Sequence, residues 1–196
     1  MRKLLLMCLL LFVSSCSAGE TAKIDSFALD QGNIQIYFCP QEKCEETLVS
    51  LLDSAQDSIH CALFDIGLES VKEELLKKEK QIEVKVVTDD QYLKKFNHPF
   101  VKSDTFGLMH DKFCVVDGKK VSTGSMNPTE NDAHKNNNNL LIIDSGVIAQ
   151  NYEDEFQEMW NGVFKKGSEV KYPVVILNNN GKNIRVKTYF CPEDAC

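Results

Sequence analysis

Residues 108–117 read Leu108-Met109-His110-Asp111-Lys112-Phe113-Cys114-Val115-Val116-Asp117, and six residues further on come Gly124-Ser125-Met126-Asn127. Lys112 to Val116 is a short apolar run closed by Asp117-Gly118, so it is expected to be a buried strand ending in a tight turn. Lys119 to Thr123 is then the returning strand. His110 and Lys112 are two apart and so point to one face. An imidazole beside an ammonium pairs a nucleophile with an anion clamp. Ser125 and Asn127 share a parity of their own just past the returning strand. Their hydroxyl and amide can hold phosphate oxygens or fix the histidine. Gly124 lets the backbone approach closely. Asp117 opens an Asp-Gly turn, and a turn role explains it without any chemistry.

The flanking pattern alternates between strand and helix. Ile34 to Phe38 alternates as a strand does. Leu48, Leu51, Leu52 and Ala55 keep the spacing of an amphipathic helix. Ser58–Phe64 is a strand, Leu68–Lys80 a charged helix, and Ile82–Thr88 a buried strand. After a loop from Asp89 to Leu108 comes the motif hairpin. A polar loop, 124–139, leads to a strand at Leu140–Ile143, and Val147–Trp160 is a helix. The expected fold class is α/β, a layered sandwich with a mixed central β-sheet flanked by helices. The expected boundaries are a targeting segment at 1–16, a linker at 17–33, a catalytic domain at 34–170, and a hairpin with the stub of a second repeat at 171–196. The repeat rests on Tyr37-Phe38-Cys39-Pro40, which returns as Tyr189-Phe190-Cys191-Pro192.

The combined pattern, H-x-K-x4-D-x6-G-S-x-N, resembles the signature of the phospholipase D superfamily and is complete over His110, Lys112, Asp117, Gly124, Ser125 and Asn127. The segments Ser54–Ile66 and Ile82–Asp90 also resemble the early helix-to-strand passage and the next strand of that family. The resemblance implies a metal-independent phosphodiesterase, with no cofactor. One histidine attacks phosphorus while a second protonates the leaving oxygen. It makes His110, Lys112, Asp117, Ser125 and Asn127 the catalytic set, with Asn138 beside them against the substrate. It implies a phosphodiester substrate, phospholipid or nucleic acid, with an endonuclease or a non-catalytic module as alternatives. One motif per chain implies a homodimer that completes the site, or a separate second half.

The family's usual glutamate falls here within Asn136-Asn137-Asn138-Asn139, with Asn138 in its place. An amide cannot stabilise an imidazolium by charge, so either reduced activity or a substitute acid is expected, with Glu155 and Asp65 as candidates. His60, His98 and His134 lack a partner pattern and read as structural or solvated.

The first residues read as an export segment. Arg2 and Lys3 precede an apolar run, Leu4–Val13, too short to span a bilayer. Val13-Ser14-Ser15-Cys16 resembles a prokaryotic lipobox with Cys16 lipidated, which would make the protein extracytoplasmic and membrane-anchored. Cleavage after Ala18 is the alternative. Export lets disulfides persist. Cys39, Cys44, Cys191 and Cys196 could form two disulfides or one zinc site, while Cys61 and Cys114 read as plain core residues. A net charge of -7 over 196 residues argues against general nucleic-acid affinity. Residues 110–135 carry four lysines and four acids, so no basic cleft is visible there.

Overall fold

The computed structural model describes residues 27–104 and 107–194. Its strands are β1 (Phe27–Gln31), β2 (Asn33–Cys39), β3 (Ser58–Leu63), β4 (Glu83–Thr88), β5 (Val101–Ser103), β6 (Lys112–Val116), β7 (Lys120–Gly124), β8 (Asn138–Asp144), β9 (Val174–Asn179) and β10 (Lys182–Lys187). Its α-helices are α1 (Cys44–Asp53), α2 (Glu69–Lys78), α3 (Glu130–His134) and α4 (Gly146–Trp160).

Seven strands form the central sheet in the order β2-β8-β7-β6-β3-β4-β5. β3, β4 and β5 run parallel, and the remaining neighbours are antiparallel. This is the mixed, helix-flanked sheet the sequence leads one to expect. β3 lies inside the sheet, and its residues from Ile59 onward are buried on both faces. Ile59, Cys61 and Leu63 pack with Leu48, Leu52, Val71 and Leu75 from α1 and α2. Ala62 on the opposite face joins Phe113, Ile148 and Phe156, which brings α4 onto that side. Two-sided burial of central strands is what turns their sequences into near-continuous apolar runs.

A second, three-stranded sheet has the order β1-β9-β10. β9 and β10 form the expected hairpin, but β1 falls where a linker is expected. It pairs in parallel with β9, Leu29 opposite Ile176. Asp30 fastens β1 to the start of α4, since its Oδ2 accepts the Ser145 hydroxyl at 2.6 Å and the Val147 N–H at 3.0 Å. The Ser145 Oγ in turn caps α4 by accepting the Ile148 N–H. At Gly32, between β1 and β2, an added Cβ would stand 1.7 Å from the Asp144 carbonyl oxygen, so no other residue fits.

The cysteines correct one expectation and settle another. Cys61 and Cys114 face each other in register between β3 and β6, with Cα atoms 4.0 Å apart, and are joined as a disulfide. Their burial made them look like plain core residues; the register places the thiols together. Cys39 and Cys44 form the other described bridge, and Cys191 is also disulfide-bonded, which rules out a shared zinc site. Cys196 and the lipobox cysteine, Cys16, lie outside the described residues.

The sequence repeat is also a structural one. In the first copy Glu42 accepts the Phe38 N–H at 2.6 Å, and in the second Asp194 accepts the Phe190 N–H at 2.6 Å. Both loops carry a cis Cys-Pro bond. Their aromatic residues differ in fate: Phe38 is exposed, whereas Phe190 packs against Phe113 and Tyr152.

Candidate active site

His110 stands just before β6 rather than within it, at the end of the sheet where that interior strand begins. The ladder from β3 extends one step further to it, because the Phe64 N–H donates to the Asp111 carbonyl at 2.9 Å. The Phe64 ring is the floor of the site. The His110 imidazole meets it edge-on at 4.6 Å between centroids, and the Lys112 ammonium lies 5.1 Å from the same ring centre. Lys112 Nζ also donates to the His110 carbonyl at 2.7 Å. The expected sharing of one face is therefore present.

The protonation balance suits a nucleophile. Partial burial, reinforced by the Lys112 charge, holds His110 below the usual imidazole range, against an opposing pull from Asp89. Burial likewise lowers Lys112, while Asp111 and Asp132 raise it. Asp89 is fully buried at the end of β4, and its Oδ2 accepts the Met109 N–H at 3.3 Å, one residue before His110.

Ser125 and Asn127 follow β7 in a backbone kink. Gly124 has φ of 141°, and a Cβ there would meet the Asn139 carbonyl oxygen at 2.4 Å. That oxygen accepts the N–H groups of Ser125 and Met126. The Ser125 hydroxyl donates to Asn138 Oδ1 at 2.9 Å and accepts the Asn139 N–H at 3.1 Å. Asn138 thus holds Ser125, and its own amide donates to the Asp132 carbonyl at 3.2 Å. Asn127 gives both its backbone N–H and one amide hydrogen to Asp132, and its buried Oδ1 has no partner among the described residues.

Two sequence-based assignments are corrected. Asp117 does not face the site. Its carboxylate accepts the N–H groups of Gln56, Asp57 and Ser58, tying the β6–β7 turn to the start of β3. Burial pushes its carboxyl up, but these three N–H groups outweigh that and hold it low. The substitute acid is neither Asp65, which pairs with Lys95 at 2.7 Å, nor Glu155. Glu155 sits on α4 beside Asp111, Cys191 and Glu193. Burial and the charges of Asp111, Glu193, Glu158 and Asp194 push its carboxyl up to about 8. The acids that do bear on the site are Asp89 and Asp132. Asp132 had a legible sign, because Thr129-x-x-Asp132 is a helix-capping pattern and Thr129 Oγ1 does accept the Asp132 N–H. Asp89 had none beyond ending a strand.

The remaining histidines are structural. His60 is buried between Glu83 and Glu153 and stacks on Phe156. His134 pairs with Glu45, and His98 lies against Phe100.

The family model described as "Cardiolipin synthase, PLD-like domain" matches residues 48–160. A mitochondrial cardiolipin hydrolase of Xenopus tropicalis is 35% identical over 124 residues, 58% of this chain and 59% of that one. A phospholipase D of Rickettsia typhi is 28% identical over 135 residues, 63% of this chain and 66% of that one. The chain therefore spans between about three fifths and two thirds of these relatives' length. Among solved structures, the phospholipase D family member Nuc from Salmonella typhimurium superposes with a TM-score of 0.60 at 23% identity, covering 67% of this chain and 96% of that one. NucT from Helicobacter pylori gives 0.59 at 19% identity, covering 67% and 98%. At these identities the structural likeness speaks for the fold.

Proposed function

Because the chain belongs to the phospholipase D superfamily, we propose that it is a phosphodiesterase that works through a phosphohistidine on His110 and acts on phospholipid. The observation that carries this reading is the Phe64 ring shared by the His110 imidazole and the Lys112 ammonium. It sets a neutral nucleophile beside a cation that can hold a phosphoryl oxygen.

A His110 ring nitrogen attacks phosphorus, the N–P bond forms, and the P–O bond to the leaving alcohol breaks. The leaving oxygen takes a proton from a second histidine. Water then attacks phosphorus, gives its proton back to that second histidine, and releases His110. Lys112 and the remaining N–H of Asn127 bind the non-bridging oxygens, while Ser125, whose hydroxyl hydrogen goes to Asn138, fixes the loop that carries Asn127. Asp132 orients Asn127. The H-x-K pattern occurs once in the sequence, so the second histidine is assigned to the partner subunit's His110 in a two-fold dimer. Export and anchoring through Cys16, read from the sequence, would bring such an enzyme to its substrate.

Phospholipid is preferred to nucleic acid on two grounds: the names of the relatives at 28–35% identity and the net charge of -7. The test is hydrolysis of a chromogenic phosphodiester with EDTA present, for the full chain and for His110→Ala, followed by phosphatidylglycerol vesicles and single-stranded DNA as competing substrates. Activity that survives EDTA, vanishes in the variant and favours the lipid supports the reading. Faster cleavage of DNA would replace phospholipase by nuclease. No turnover by a folded dimer would mean a non-catalytic module.

A further inference from the structure

The small sheet has one face against the core and one turned outward. Asp30 on β1 and Val175, Leu177 and Val186 on the other two strands lie on the inward side. The outward side should be polar if it met only water, since strand residues alternate between the two faces. It is not. Phe27 is 61% exposed and Leu29 72% exposed, successive outward positions of edge strand β1.

The register shows what stands beside them. Phe27 is level with Val174 and, across it, Lys187. Leu29 is level with Ile176 and Arg185. Residues level with one another in a sheet project to the same side. The half of this face nearest Phe27 thus carries two exposed apolar side chains and two exposed cations, with Val174 buried between Phe27 and Lys187, and no acid lies in either row. The third row, Gln31, Asn178 and Asn183, is neutral and polar. In a chain of net charge -7 such a local pairing of aromatic and aliphatic side chains with Arg and Lys stands out. Membrane-surface segments combine these residue types, with apolar groups entering the headgroup boundary and cations meeting anionic lipid. The sequence leading into Phe27 supplies a further argument. Cys16, the residue read as lipidated, lies eleven positions before Phe27, so an anchor there would hold this end of β1 close to a bilayer.

We propose that the outward face of the small sheet, at Phe27 and Leu29 with Arg185 and Lys187, rests on an anionic lipid surface. This fixes how the domain sits on a bilayer and stands apart from the chemistry at His110.

The full chain is reconstituted into vesicles of phosphatidylcholine, with or without phosphatidylglycerol. Leu29→Trp, in a Trp160→Phe background, reports contact through quenching by bromine-labelled acyl chains. Phe27→Trp is the second reporter in case the first perturbs folding. The proposal expects a blue-shifted, quenched Trp in anionic vesicles. It also expects a roughly thirtyfold fall in the docked-to-undocked ratio for Arg185→Gln with Lys187→Gln, from about 1 kcal/mol per cation near such a surface. A tryptophan that stays solvent-exposed on vesicle-bound protein would overturn it. So would quenching indifferent to lipid charge and to the two cations. A blue shift that depends on protein concentration without vesicles would assign the face to a second copy, and would overturn it too.

Discussion

Asp132 Oδ2 accepts the backbone N–H of Asn127 at 3.0 Å and its side-chain amide at 2.7 Å, a two-pronged grip that fixes the last residue of the motif. The same carboxylate takes an amide hydrogen from Asn136 at 2.8 Å through its other oxygen. Burial pushes the Asp132 carboxyl up, but these donors outweigh it and hold the group ionised. Asp132 also places negative charge near Lys112. Asp132→Asn removes that charge and turns one acceptor into a donor facing donors. Turnover is expected to drop by about a hundredfold, the scale of a small misplacement in a site. Circular dichroism and dimer mass should remain unchanged. A variant with unaltered kcat would remove Asp132 from the machinery.

The two charges near His110 act on its proton in opposite directions. Lys112 depresses the imidazole and Asp89 raises it. If neutral His110 is the nucleophile, the acid limb of kcat/KM follows its pKa. Lys112→Met should slow the reaction and move that limb to higher pH, since a like charge is gone. Asp89→Asn should move it to lower pH. Opposite displacements in the pH–rate profile are the check, because damage to the fold alone would not produce two signs.

The central sheet and the His110–Lys112 pair are legible in the sequence because both rest on local rules. Strand burial writes continuous apolar runs, and residues two apart share a face. What is hidden depends on contacts distant in sequence. β1 looks like linker because its partner β9 lies near the other end of the chain. Cys61 and Cys114 look like core because only the β3–β6 register shows that they meet. Asp117 has two readings that part company: its Asp-Gly position gives the turn role, which holds, whereas its place in the motif puts it among catalytic residues, although its carboxylate is spent on three backbone N–H groups. The acids that serve the site could not be ranked from spacing, since Asp89 and Asp132 reach it from a strand end and a short helix.

That role for Asp117 has a direct consequence. Asp117→Ala loses the acceptor for three N–H groups and places alanine at φ of 53°, a left-handed backbone. The expected cost is about 2 kcal/mol or more in urea unfolding. Activity per folded molecule should be close to the parent's. Asp117→Asn keeps an acceptor and tolerates the backbone, so it should fall between the two. Because the native carboxyl is held low, its contribution is present above the ordinary aspartate range and fades as pH falls through the lowered value. A turnover defect larger than the stability loss explains would return Asp117 to the catalytic set.

Glu155 reverses that sign. Its carboxyl is pushed from 4.5 up to about 8 by burial and by Asp111, Glu193, Glu158 and Asp194. In the unfolded chain the group is free of these influences. Between those two values the native state therefore keeps a proton that the unfolded chain has released. Stability must then fall as pH rises across this window, and level off above it. The strain falls on the contact between α4 and the second Cys-Pro loop, where Asp111, Glu193 and Glu155 line one cavity with Lys165. Glu155→Gln is a permanently neutral stand-in for the protonated form. Its unfolding free energy should match the parent's near pH 5 and exceed it near pH 9, with a flatter course between. Chemical denaturation at a series of pH values measures both curves. Parallel curves would show that Glu155 is ionised throughout, and that its neighbours, not its proton, set the acid-side behaviour of this end of the molecule.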